Sequence, residues 1–263
     1  MNKNIRFFSI FILGFSVYYL FDLYCFKSIQ NFSKNIFQSK AIAHVTAYSL
    51  TLLPLLITLK VLLPEKNITD LLSLDKPIIK GFTLSFTGTL PMILGYSLHF
   101  NLLSKVDFES LFINTISSAF FEEIIFRAFL IGILFRFSRL GFLSSVLFGS
   151  LLFAQVHLYQ SQNTTELFEI FAITLAGSIF FAWVYFENEF NLWTAIFLHF
   201  FMNLYWELFT VSGNVSGNLY GNLYKIISII QIMLITVYCK RRKNIPYQIS
   251  RKSLFIKTKQ VQS

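Results

Sequence analysis

Glu122 and Glu123 stand side by side in an otherwise apolar run, Phe120-Phe121-Glu122-Glu123-Ile124-Ile125-Phe126, and Arg127 follows directly. Further along, Phe153-Ala154-Gln155-Val156-His157 and His199-Phe200-Phe201-Met202-Asn203 each set one imidazole among apolar neighbours. If these runs cross a membrane, each ionised side chain costs roughly 2.5–3.5 kcal/mol on insertion scales. Adjacent carboxylates are costlier, because like charges oppose each other's ionisation. On a helix, Glu123 and Arg127 share a face at i and i+4 and can pair. Glu122 points about 100° away, which leaves a free carboxylate for a cavity. His199 and Asn203 are again i and i+4, on one face.

A carboxylate in a dry pocket can activate water, and imidazole can orient that water. Histidine and asparagine can donate hydrogen bonds to a developing oxyanion. These are the parts for hydrolysing an amide. Glu122, His157 and His199 equally match a catalytic zinc site with an open fourth position. The competing reading makes the charges of 122–127 a buried packing network. His44 and His99 lack comparable neighbours and are assigned to packing or helix ends. No Ser/His/Asp motif, phosphate loop, CxxC or HExxH is present.

The surrounding composition says what must position these groups. Of 263 residues, 55% are apolar, 18% aromatic and only 13% charged, against about 25% charged in soluble domains. That excludes a disordered chain, a disulfide scaffold and almost any soluble fold, and predicts an all-α polytopic membrane protein. Eight runs approach the roughly 20 residues a crossing helix needs: Ile5–Phe21, Ala41–Leu63, Phe82–Leu103, Leu111–Phe135, Leu140–Leu158, Leu167–Phe186, Leu192–Phe209 and Leu223–Cys239. Pro54 and Pro91 fall inside the second and third, where neighbouring helices can satisfy freed carbonyls. Asp22 and Glu207 are further charges in or near spans. No repeat of 20 to 50 residues is evident, so the chain reads as one membrane domain, 1–263, with a motif-bearing core at about 108–210.

The net charge is +9, with eight of the 22 Lys and Arg after Cys239. A basic segment at 240–263 directly after an apolar run predicts a cytoplasmic anchor on anionic lipid, not nucleic-acid binding. Sixteen of the 22 lie on the side of both termini and five on the other, with Arg127 inside a span; both termini are therefore expected inside. Lys3 and Arg6 precede the first run, but no small-residue cleavage site follows, so it is read as an uncleaved span. Cys25 and Cys239 end apolar runs and imply neither a metal site nor a disulfide framework. With this topology His157 sits near the outer end of its span and Glu122 near mid-membrane. The depths agree if span four starts nearer Thr115 and span five runs on toward Gln160.

The ordered set Glu122-Glu123-x-x-x-Arg127, Phe153-x-x-x-His157 and His199-x-x-x-Asn203 resembles the CPBP family, the CAAX-protease and bacteriocin-processing (Abi) intramembrane endopeptidases. The resemblance covers about 80 residues, Phe120 to Asn203. It implies a bundle of about eight transmembrane helices that cleaves a membrane-associated protein or peptide. It makes Glu122 the general base with His157 its partner, His199 and Asn203 the oxyanion site, and Glu123, Arg127 and Phe153 supporting residues. Family mechanisms include metallopeptidase and metal-independent glutamate forms, and zinc stays open here. The Phe/Ile/Asn/Lys bias fits an AT-rich bacterial genome, hence a bacterial plasma membrane, which argues against a prenyl substrate; for a bacterial member the resemblance implies bacteriocin immunity, peptide maturation or surface-protein regulation. Two other functions compete: a non-catalytic bacteriocin-immunity or regulatory protein on the same scaffold, and an ion-coupled transporter. The transporter ranks third, because spans two, three and six supply few polar residues.

Overall fold

In the computed structural model, which describes residues 3–257, the chain is helical apart from its connections and one antiparallel bridge between Leu140 and Ile256. Lys259 of the basic segment lies outside the described residues. Helix α1 (Lys3–Phe37) leads into α2 (Lys40–Thr51) and α3 (Leu53–Leu62), a rod bent at Leu52. After the short α4 (Ile68–Leu71) comes α5 (Ile78–His99). A composite rod follows: α6 (Phe108–Phe112), a π-helical segment Ile113–Ser117, α7 (Ser118–Glu122), a second π segment Glu123–Ile133, and α8 (Leu134–Phe137). The chain continues through α9 (Phe142–Val156), α10 (Thr164–Glu187), α11 (Leu192–Leu208) and α12 (Leu219–Arg242).

All eight predicted apolar runs are helical, but six rather than eight are long and apolar enough to cross a membrane: Lys3–Phe37, Lys40–Leu62, Ile78–His99, Phe142–Gln160, Thr164–Glu187 and Leu219–Arg242. The other two are the composite rod and α11. The rod carries the Glu122, Glu123 and Arg127 charges and is broken by π segments, and α11 has 17 residues. Burial explains the exception. From Glu123 to Arg136 every residue but Phe126 is buried, so protein rather than lipid surrounds the rod on nearly all sides. The rod packs against α9, α10 and α11 on one flank and α2 on another, while α5, α11 and α12 pack together beside it.

Local chemistry places the breaks. Pro54 falls in the first turn of α3, where its missing N–H leaves no intrahelical bond unmade. Ser39, Asp107, Asn163, Asn191 and Asn218 accept hydrogen bonds from the first free amides of their helices. Helix α1 runs 16 residues beyond the expected Phe21, because no glycine or proline occurs between Asp22 and Phe37. Lys27 and Lys34 consequently ride on a helix rather than in a loop.

One end of the bundle gathers the predicted inner segments. There Arg136 is buried, lies 3.5 Å from Asp70 Oδ1, and donates to the carbonyls of Asp70 and Leu71 and to Ser73 Oγ. Lys80 pairs with Glu189 across the same end. The basic segment is not a free arm through Lys257. Lys240 is buried in an ion pair with Glu187 at 2.6 Å, and the Glu187 carboxylate also accepts the amides of Gln248 and Ile249. Residues 253–257 then return to the 138–143 connection, with Gly141 and Leu143 donating to the carbonyls of Phe255 and Leu254. A buried carboxylate without partners is costly, and this foldback supplies them.

Candidate active site

The second π segment begins at Glu123, directly after Glu122. π segments inside helices frequently mark functional sites. Here the segment presents Glu123 and Arg127 to α9, α10 and α11. Both side chains are inaccessible to solvent, and Arg127 Nη1 lies 3.0 Å from Glu123 Oε1. The expected i, i+4 pair therefore forms, although in a π rather than an α segment.

The same Glu123 oxygen lies 2.8 Å from His199 Nδ1 on α11. An ionised carboxylate only accepts, so Nδ1 carries the hydrogen and Nε2 faces away from Glu123. That Nε2 lies 4.0 Å from Glu122 Oε2, an oxygen that is buried and without a hydrogen-bond partner. The separation is too long for a direct hydrogen bond and invites a bridging water.

Phe153 joins α9 to this group. Its ring lies 4.2 Å from the Arg127 guanidinium carbon and its carbonyl oxygen 2.7 Å from His157 Nδ1. Its ring also lies 4.4 Å from that of His157. Phe181 on α10 covers the other side of Arg127 at 5.2 Å and meets His199 edge-on. A continuous path of contacts thus runs His157, Phe153, Arg127, Glu123, His199, Glu122. Among the described residues His157 makes no hydrogen bond or ion pair with Glu122; His199 does approach it.

Asn203, one turn beyond His199, donates from Nδ2 to the Asn114 carbonyl at 2.9 Å. Its second amide hydrogen remains free for another acceptor. Asn114 in turn donates to Glu207 Oε1 at 3.2 Å, which ties the first π segment to α11. Sequence reasoning singled out Glu207 as a charge but not Asn114. An amide in a polar-flanked stretch carries no signal until the opposite helix is placed. His44 and His99 are outside the group: His44 Nδ1 lies 2.9 Å from Ser117 Oγ, and His99 closes α5 against Tyr220.

The metal alternative can be tested on these groups. Among the described residues no three His, Cys, Asp or Glu side chains gather as a ligand set. The Nδ1 atoms of both imidazoles are bonded to Glu123 and to Phe153, as the second nitrogen of a metal-bound histidine commonly is; it is the spacing of the three side chains that fails. Glu122, His157 and His199 as arranged do not fit a three-residue zinc centre.

Glu122 also borders a cavity of about 150 Å³, walled by α1, α2, the rod and α9.

The motif-bearing helices also match a known family. Residues 106–205 match the Rce1-like model, type II CAAX prenyl endopeptidase. The resemblance drawn from the three motifs is borne out, and the Rce1-like segment encloses all of them, from the loop before α6 to the later turns of α11. At the level of family this supports a CAAX-type intramembrane endopeptidase embedded among apolar helices. Neither the curated proteins nor the solved structures contain a match to the chain.

Proposed function

We propose that this chain is an intramembrane endopeptidase that hydrolyses a peptide bond of a membrane-associated protein or peptide. The observation that carries the proposal is the pair of facing atoms, Glu122 Oε2 and His199 Nε2, 4.0 Å apart beside a buried Glu123–Arg127 pair. Glu122 takes a proton from a water molecule, and the hydroxide attacks the scissile carbonyl. His157 at the end of α9 assists, with Nδ1–H given to Phe153 and Nε2 free. In its charged form His199 donates from Nε2 as well as Nδ1, and with the free N–H of Asn203 it holds the oxyanion. Glu123 fixes the His199 ring, and Arg127 pairs with Glu123 while stacked on Phe153. Glu122 then returns its proton to the leaving amine.

A second division of roles is favoured by one observation. His199, not His157, is the imidazole next to Glu122. With neutral His199, Glu122 and Nε2 accept the two hydrogens of one water, and Asn203 is the oxyanion donor. Purified protein in liposomes, given candidate transmembrane peptides with and without a C-terminal prenyl group, tests both. Mass spectrometry should show a new C terminus. Asn203→Ala should lower kcat by about 10²–10³-fold, as loss of an oxyanion donor does. Loss of the acid limb of the pH–rate profile in His199→Ala but not His157→Ala selects the second division; the reverse selects the first. Absence of any cleaved product with every peptide class would favour the non-catalytic alternative.

We further propose that the basic end of the bundle faces the cytoplasm of a bacterial cell, since Lys60, Lys66, Lys76, Lys80, Arg136 and Arg139 share it with Lys240–Lys243.

A further inference from the structure

Helix α1 lies outside the Rce1-like segment, yet it supplies much of the wall of the cavity beside Glu122. That cavity, about 150 Å³, is bordered by Phe15, Tyr18 and Asp22 of α1, Tyr48 of α2, and Glu122 and Phe126 of the rod. One water needs only about a tenth of that room. Polar atoms of its lining residues are unsatisfied. Asp22 Oδ1 and Glu122 Oε2 are buried without a hydrogen-bond partner. Tyr18 is 6% exposed, and among the described residues its hydroxyl makes no hydrogen bond. Such groups normally have a partner; here the protein offers the Thr51 hydroxyl to the Asp22 carboxyl and no cation to either carboxylate.

The charge balance says what the partner is. No Lys or Arg lines the cavity. Arg127 is turned to Glu123 and enclosed by Phe153 and Phe181. His199 Nε2 stays 4.0 Å from Glu122 Oε2, too far for a hydrogen bond, and makes no ion pair with Asp22 among the described residues. Five aromatic rings, Phe15, Tyr18, Tyr19, Tyr48 and Phe126, line it beside the aliphatic Ile125, Leu152 and Val156, and aromatic rings can hold a cation. An anion would meet two carboxylates, and an apolar group would leave them and Tyr18 unpaired. We propose that this cavity is a subsite for a cationic side chain of the substrate, an ammonium or guanidinium on an alkyl stem, with Asp22 as its counter-charge. The word substrate rests on the endopeptidase reading; the cation preference does not.

The full chain with Cys25→Ser, Cys239→Ser and Leu152→Cys places one thiol on the cavity wall. Its reaction rate is measured with a trimethylammonium and with a sulfonate methanethiosulfonate, each relative to a free thiol in solution. The cationic reagent should be favoured by about tenfold or more, and Asp22→Asn should bring the ratio back toward one. n-Butylammonium should slow the cationic reagent, and n-butanol should not. Val156→Cys repeats the measurement if Leu152→Cys fails to fold or react. Equal relative rates, or a preference unchanged by Asp22→Asn, overturn the proposal. On cleavable peptides, Lys should outperform norleucine next to the scissile bond by about tenfold in kcat/KM, and Asp22→Asn should shrink that ratio. Competition by n-butylammonium without a Lys preference in peptides would mean a site for free amines and overturn the substrate assignment. If no peptide is cleaved while the thiol rates keep their charge selectivity, the endopeptidase reading fails and the cation site stands.

Discussion

Arg127 and Glu123 are wholly buried, and each is the other's counter-charge. Removing one partner of such a pair strands a charge, at a cost of about 3–5 kcal/mol. Arg127→Met should therefore lower the detergent melting temperature sharply, and adding Glu123→Gln should recover part of the loss. Glu123→Gln alone keeps a side chain that can accept from His199 Nδ1 but removes the ionised acceptor, so it should lower kcat more than it raises KM. Equal melting temperatures for the single and double variants would show that the two residues do not act as a pair. Most of these residues are legible in the sequence, because charges in an apolar run have few structural uses. The i, i+4 spacing correctly anticipates the Glu123–Arg127 contact and the free Glu122 oxygen. The hydrogen bond from His199 to Glu123 is not legible, since it joins elements 76 residues apart.

Close approaches between helices set which elements tolerate change. A Cβ at Gly81 of α5 would fall 2.7 Å from the backbone of Trp193 and Thr194 at the start of α11. Gly81→Ala should force α5 away from α11 and destabilise by about 1–3 kcal/mol, read as a drop in melting temperature. A methyl group added at Gly177 on α10 would have no neighbour within 4 Å, so Gly177→Ala should raise helix stability by up to about 1 kcal/mol. If both variants melt alike, α5 and α11 do not pack closely at Gly81. The apolar runs identify every long helix, since length and hydropathy are local properties. The π register of Glu123–Ile133 is not legible, because it arises from packing a charged stretch against three neighbours rather than from periodicity. The length of α1 is underestimated from sequence because Asp22 reads as a boundary, whereas it faces a cavity within the bundle.

Across the whole molecule, the charged end is tied together by the C-terminal foldback. Lys257 is buried against the Phe135 ring and contacts the Phe135 carbonyl. Burial pushes its ammonium down to about 8. A lysine whose folded pKa lies below its unfolded value binds fewer protons when folded, so docking strengthens as pH rises from about 8 toward the usual lysine range. Protection of the 244–257 backbone from proteolysis should therefore increase between about pH 7 and about pH 9.5, and Lys257→Met should flatten that dependence. Unchanged protection across the range would contradict the docked geometry. The segregation of basic residues is visible from sequence, but the foldback is not, because a Lys-rich segment reads as solvated until Glu187 is seen to need partners. The central claim is that Glu122 activates water within the bundle. The most direct test is cleavage of a reconstituted membrane peptide by wild type and by Glu122→Gln, with melting curves to show that both are folded. Wild type should yield product and the variant should lose at least about 10²-fold in kcat; equal turnover by a folded Glu122→Gln protein would contradict the claim.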